Sequence, residues 1–250
     1  MKVLVIDVGG TNVKVSITGR KEDPLKVPSG REMTAARMVA EVKKATAAWK
    51  YDAVSVGYPG PVLNGKPAKE PANLGAGWVR FDYAKAFGKP TKVINDAAMQ
   101  ALGGYQGGRM LFLGLGTGLG SAFVADGQLE PLELAHLPYR NNMTYEDYVG
   151  IRGYERLGRK KWQRHVEKIV ELLKHGLQAD YVTLGGGNTK KLKALSEGVR
   201  IGTNAHAIVG GFRLWDRPQG KKRSPRRRPP SGASRRKVAR TAGAEDAASA

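Results

Sequence analysis

Cysteine is absent from the 250-residue chain. That removes disulfides and thiolate metal sites from consideration and agrees with a cytoplasmic location. No apolar run reaches the roughly 18 residues that a membrane-spanning helix needs, so no such segment is expected. The opening MKVLVID passes straight into an apolar stretch that ends at Asp7, without the apolar core and cleavage site of a secretory signal. Acidic residues are also scarce: 22 Asp and Glu face 42 Lys and Arg, a formal net charge of +20. The excess is spread unevenly. Residues 217–250 hold 11 Lys and Arg against 2 Asp and Glu, a net of +9, and the rest holds 31 against 20, a net of +11. A basic field concentrates anions, whether nucleic acid, phosphorylated metabolites, polyphosphate or anionic lipid, and charge alone does not choose among them.

The length suits one large domain or two lobes, and a hydrophobic content of 41% is enough for a core. VLVIDV, GGT and NVKVSI read as strand, turn and half-buried strand. A linker rich in Lys, Pro and Gly is expected up to Arg31. Residues 34–49 have helical spacing, with Met38, Val42, Ala45 and Trp49 on one face. A short strand covers 53–56 and ends in Gly57-Tyr58-Pro59-Gly60-Pro61; residues 64–78 read as loop. Strand 92–95 runs into a helix from Asp96 to Tyr105. A second hairpin repeats the first: strand 110–115, the turn Gly116-Thr117-Gly118, then strand 119–124 closed by Asp126-Gly127. Helix 160–175 points Val166, Ile169, Val170 and Leu173 inward. Strand 181–184 enters Gly185-Gly186-Gly187 with a helix expected from about Asn188, and a last helix covers 204–215. Two glycine-turn hairpins, each opening a similar β/α half, suggest an internal duplication. Residues 217–250 are Pro, Arg, Lys, Ser and Ala with almost no large apolar side chains, a composition expected to be disordered.

Several stretches have the chemistry of phosphoryl transfer, which needs phosphates held by backbone donors, a metal to neutralise charge and a base aligned with a hydroxyl. Asp7-Val8-Gly9-Gly10-Thr11-Asn12 sets an acid at a strand end before a glycine turn whose N–H groups an anion can approach closely. Lys14 adds positive charge, and Asp7 is a candidate for hydrated Mg2+. Gly116, Thr117 and Gly118 offer a second cradle; a strand follows them, so this is not the dinucleotide fingerprint, which requires a helix there. Gly186, Gly187 and Asn188 lie between a strand and a helix and suit an anion or a nucleotide edge. Each of these is also compatible with a plain tight turn. Asp96, at a strand-to-helix switch, suits either a helix cap or an exposed, rigidly held carboxylate.

In order along the chain come DVGGTN, EPANLGAGW, VINDAAMQALGG, LGLGTGLGSAF, ELAH and TLGGGN. Their order and spacing, over about Val3 to Trp215, resemble the ROK family of sugar kinases in the actin/hexokinase superfamily. The polyphosphate glucokinase branch is most similar, in the stretch PYRNNMTYEDYVG and the closing GGFRLW. The resemblance implies a two-lobed α/β fold, ribonuclease H-like in each lobe, around a cleft. Residues 1–98 plus 204–216 would form one lobe and 99–203 the other. It implies that Asp96 is the catalytic base toward a sugar 6-hydroxyl, with Asn95 beside it and Glu133, His136 and Glu146 on the sugar; Asn73 is a further candidate sugar contact. Ala135 departs from the glycine usual within the Glu-to-His motif. Many ROK proteins carry a cysteine-rich zinc motif after that His, where this chain has residues 137–144, so His136 is expected to meet a hydroxyl and no zinc is expected.

The expected cofactor is Mg2+, and the expected partners are a hexose such as glucose, polyphosphate or ATP, and a second copy of the chain in a homodimer. Polyphosphate is favoured as donor by the local resemblance and by the basic body, with Lys190, Lys191 and Lys193 as a possible track. An ATP-dependent kinase for glucose or an amino sugar is the alternative. A non-catalytic sugar-binding regulator is more remote, because a DNA-binding domain would be expected ahead of Asp7. Contact with nucleic acid is expected only through the basic tail, by counterion release.

Overall fold

The computed structural model describes residues 1–203 and 205–216. The disorder expected for 217–250 lies outside the described residues. In chain order the elements are β1 (Val3–Val8), β2 (Asn12–Ile17), β3 (Leu25–Pro28), α1 (Ala35–Ala45), β4 (Ala53–Tyr58), β5 (Val62–Leu63), β6 (Lys66–Pro67), α2 (Tyr83–Phe87), β7 (Thr91–Asn95) and α3 (Asp96–Gly104). They continue with β8 (Arg109–Leu115), β9 (Leu119–Ala125), β10 (Gln128–Leu132), β11 (Pro138–Arg140), β12 (Met143–Thr144), α4 (Tyr145–Val149), α5 (Ile151–Gly176), β13 (Tyr181–Gly185), a 3-10 turn (Gly187–Lys191), β14 (Val199–Ile201) and α6 (Ala205–Arg213).

Two five-stranded sheets carry the fold, ordered β3-β2-β1-β4-β7 and β10-β9-β8-β13-β14. Their connectivity is the same. A three-stranded antiparallel meander comes first, and two further strands then add in parallel beside the first strand of each meander. This agrees with the duplication suggested by the paired hairpins. All six residues of β1 and of β4 are buried, as expected of parallel strands covered on both faces. β2 mixes buried and half-buried positions because it lies nearer the edge.

Each sheet has its own core. Leu4, Ile6, Val8, Met38, Val42, Tyr58 and Trp78 belong to the first, and Leu111, Leu113, Trp162, Val166, Ile169 and Leu184 to the second. One helix, α3, bears on both sheets. α3 lays Ala97, Ala98 and Ala101 against Met110, Phe112, Ala122 and Val124 of the second sheet. Its Met99 packs instead with Val3, Val5, Ala207 and Ile208.

The differences from the sequence reading follow from local chemistry. α1 begins as expected, with the Thr34 side chain accepting from the Arg37 amide at 3.2 Å, but it ends at Ala45. Thr46 turns inward and bonds back to the Val42 carbonyl at 2.8 Å, so Ala45 is exposed and Trp49 lies beyond the helix with Arg20 stacked 5.1 Å above its ring. The expected linker before Arg31 contains β3, a four-residue edge strand with only one buried residue, Val27. α5 starts nine residues before Lys160 and is interrupted at Gly158, where φ is 70° and ψ is 162°, a conformation open chiefly to glycine. The helix expected from Asn188 is a five-residue 3-10 turn.

Candidate active site

The first glycine turn is built almost entirely from neighbours in sequence. Asp7 is the last residue but one of β1 and pairs in register with Lys14 on β2, so two residues seven apart face each other across the hairpin and Lys14 Nζ lies 3.2 Å from Asp7 Oδ2. Asp7 is buried. Burial raises its carboxyl above the ordinary range, and the Lys14 ammonium pulls it back down. The Gly9 amide donates to the Asn12 carbonyl at 3.1 Å, and the Ser29 hydroxyl donates to the Gly9 carbonyl at 2.6 Å. Gly10 and Thr11 stand exposed at the tip. Asn73 reaches this turn: a Cβ on Gly10 would lie 3.5 Å from the Asn73 Cβ.

Asp96 is the first residue of α3, and Asn95, not Asp96, caps that helix. The Asn95 side-chain oxygen accepts from the Ala98 amide at 3.1 Å while its nitrogen donates to the Gly60 carbonyl at 3.0 Å. The Asp96 carboxylate accepts instead from the next amide, Ala97, through Oδ1 at 2.8 Å. Burial, and next the charge of nearby Asp7, push its pKa up to about 7, against the pull of the Ala97 amide, its own amide and Lys14. Asp7, Lys14 and Asp96 thus form one electrostatic group.

The second glycine turn is assembled from distant pieces. Glu146 of α4 points its carboxylate at the turn, where Oε2 accepts from the Leu119 amide at 3.1 Å and leaves no room for a side chain on Gly118. Arg152 lies 3.5 Å from the other carboxylate oxygen. Asn188 donates to the Gly116 carbonyl at 2.7 Å, and the Ile151 amide approaches the carbonyls of Gly116 and Thr117 at 3.1 and 3.2 Å. Gly186, at φ 86°, packs so closely on the Leu115 backbone that a side chain there would collide with it. Thr117 stands exposed at the tip, like Thr11 in the first turn. A Cβ on Gly120 would lie 2.9 Å from that of Ala97, so the second turn abuts the start of α3, next to Asp96.

Glu133 and His136 face each other across 3.8 Å, both exposed. Their turn is pinned to β9 by Ser121, whose hydroxyl donates to the Leu132 carbonyl at 2.9 Å and accepts from the Leu134 amide at 3.1 Å. Ala135 is buried between them, and its carbonyl accepts from the Glu146 amide at 3.0 Å. Hydrogen bonds and ion pairs among the described residues do not link Glu133 or His136 to Asp96. Sequence reasoning missed Arg152, Ser29 and Ser121, which have no local signal, and treated Gly57-to-Pro61 only as a turn although Gly60 holds Asn95. A cavity of about 250 Å³ beside Gly185, Gly186 and Gly187 is lined by Gln100, Phe112, Lys190 and Thr203. Among the described residues no three His, Asp or Glu side chains gather into a metal cage.

Paired sheets of one connectivity, each opening on a glycine turn beside a shared carboxylate, define the two-lobed actin/hexokinase-like α/β fold. Solved structures share it. A polyphosphate/ATP-glucomannokinase from Arthrobacter sp. strain KM superimposes with a TM-score of 0.71 at 26% identity, over 84% of this chain and 96% of that one. A ROK glucokinase from Streptomyces griseus, in complex with glucose and AMPPNP, superimposes with a TM-score of 0.63 at 15% identity, over 86% and 99%. The ROK family profile matches residues 3–130, and the chain belongs to the ROK family, among its sugar kinases. The polyphosphate glucokinase of Mycobacterium tuberculosis strain H37Rv is 27% identical, the match covering 74% of this chain and 77% of the relative.

Proposed function

We propose that the chain transfers a phosphoryl group from polyphosphate to the 6-hydroxyl of a hexose, glucose first among them, with Asp96 as general base. The observation that carries this reading is the Asp96 carboxyl, held at the start of α3 beside Asp7 and Lys14 while Asn95 makes the cap bond, and raised to about 7. A base titrating near neutrality is ionised often enough to act and still basic enough to take a proton. Asp96 accepts the hydroxyl proton as the sugar oxygen attacks the terminal phosphorus, and the shortened polyphosphate leaves with the bridging oxygen. The amides of Gly9 and Gly116 are bonded within their own turns, so the transferring phosphates meet Gly10 and Thr11 in the first and Thr117 and Gly118 in the second; Lys14 adds charge, Asn95 supports Asp96 from the cap, and Asn73, Glu133, His136 and Glu146 address the sugar. Asp7 beside the first turn would hold Mg2+, which commonly sits on one or two carboxylates plus substrate phosphates, and the ion would supply charge neutralisation there.

Polyphosphate as donor is supported by the Arthrobacter and Mycobacterium tuberculosis relatives, whose names include it, and by a net charge of +11 outside residues 217–250. The local setting adds to this. Arg152 stands beside Gly118 through Glu146. Lys191 Nζ lies 4.3 Å above the ring of Tyr154, two residues further along the same helix, and Lys190 and Lys193 are exposed next to it. ATP is the second reading, favoured by the Streptomyces griseus structure with AMPPNP and by a cavity beside the glycine loop Gly185-Gly186-Gly187. A matrix of donors against hexoses, reading hexose 6-phosphate, tests both. Turnover with ATP and none with polyphosphate would sink the first reading; no turnover with any pair would sink the kinase reading for this chain.

A further inference from the structure

The proposed base is the first residue of a nine-residue helix, so its position depends on what holds the helix at the other end. There, Arg213 Nη1 shares its protons among the carbonyl oxygens of Leu102, Gly103 and Tyr105 at 2.8, 3.1 and 3.0 Å. The last carbonyls of a helix have no partner within it, and a guanidinium there also meets the negative end of the helix dipole.

Arg213 is itself held from the far side. It ends α6, whose Gly211 carbonyl accepts from the Ser55 hydroxyl at 2.7 Å. The same hydroxyl accepts from Trp215 Nε1 at 2.9 Å. Lys92 Nζ donates to the Leu214 carbonyl at 2.6 Å and lies 4.6 Å above the Trp215 ring. Ser55 and Lys92 belong to β4 and β7 of the first sheet. Between these anchors α3 and α6 cross backbone against backbone: a side chain on Gly103 would collide with the His206 carbonyl, and one on Gly210 with that of Met99. The closing GGFRLW thus fastens α3 to the first sheet, while the alanine face of α3 packs on the second.

We propose that Arg213 is a positioning residue for Asp96, acting through α3. The proposal rests on Asp96 being the base. About 13 Å of helix separates the two residues, so Arg213 does not touch the reacting atoms. It sets the axial position and tilt of the helix that presents the carboxylate to the sugar hydroxyl, and misplacement on the ångström scale costs about a hundredfold in rate. Arg213 is exposed, so replacing it leaves the core intact.

The test is a double-mutant cycle on the full chain. Arg213→Ala is expected to lower kcat about 10- to 100-fold while the dissociation constant for glucose, read calorimetrically, is unchanged. Arg213→Lys, which keeps charge at the helix end, should fall between. In an Asp96→Asn background Arg213→Ala should cost nothing further, because its effect passes through the missing carboxylate. If Arg213→Ala does not fold, Arg213→Lys and Arg213→Gln carry the same comparison. Unchanged kcat in a folded Arg213 variant, an undiminished loss in the Asp96→Asn background, or a matching fall in glucose affinity would each overturn the proposal. Full turnover in Asp96→Asn alone would instead overturn the assignment of the base.

Discussion

The two halves of the molecule share sheet order, a glycine turn and a threonine at the tip of that turn, yet they charge their turns in opposite ways. In the first half the charge is intrinsic to the hairpin, because Asp7 and Lys14 face each other in register. In the second the hairpin strands are neutral around the turn, and charge arrives from outside as Glu146 and Arg152, with Asn188 as a neutral strut. A duplicated scaffold has thus yielded one self-contained site and one assembled site. The assembled one is open to change by any element that reaches it, which suits the half that also carries the sugar-facing candidates Glu133, His136 and Glu146.

The largest expected effect lies between the halves. Asp96→Asn should lower kcat by about 10²–10⁴-fold with glucose affinity retained, measured in steady state and by calorimetry; a variant keeping more than about a tenth of its turnover would remove Asp96 from the role of base. Next is ionic strength. If phosphates of a long donor lie on Arg152 and Lys191 of the second half, the KM for polyphosphate should rise tenfold or more between about 50 and 200 mM salt, while that for neutral glucose stays flat. A flat response for both would return ATP to first place.

The pH profile follows from Asp96 alone. Below about 7 the carboxyl is protonated, so log kcat/KM should fall by about one per pH unit on the acid side and level off above. The same shift makes a stability statement. A carboxyl whose folded pKa is raised is no burden below its unfolded value, near 3.8, and costs stability progressively as pH rises to about 7. Asp96→Asn should therefore be more stable than wild type at pH 8, by on the order of a few kcal/mol, and no more stable than wild type at pH 3.5. Equal melting at both pH values would show that the recess does not hold the carboxyl up.

The smallest effect sharpens the contrast between the turns directly. A methyl on Gly118 would meet the Glu146 carboxylate, whereas one on Gly10 would make ordinary contact with Asn73. Gly118→Ala should cost about 1–3 kcal/mol of stability by overpacking and Gly10→Ala less than about 1 kcal/mol, read from paired denaturant curves. Equal costs would mean that the second turn is as open as the first.

What was legible in the sequence is what depends on neighbours. Apolar runs of strand length, glycine turns and the start of α1 at Thr34 are short-range signals, and the first site could be read because Asp7 and Lys14 are joined by a single tight turn. Duplication was legible for the same reason, since each half repeats a local pattern. The rest was decided by residues far apart in the chain that come together only on folding. Asn95 takes over the cap by also bonding Gly60, 35 residues earlier, and burial near Asp7 then lifts the Asp96 carboxyl. Glu146 meets the Leu119 amide 27 residues away, and Arg213 closes α3 from 108 to 111 residues further along the chain. Chain pattern alone determines which segments can become strands, turns and helices, because those choices are made over a few residues. The protonation of the carboxylate, the charge at the second turn and the anchoring of α3 are tertiary, because desolvation and long-range hydrogen bonds have no value until the chain is packed.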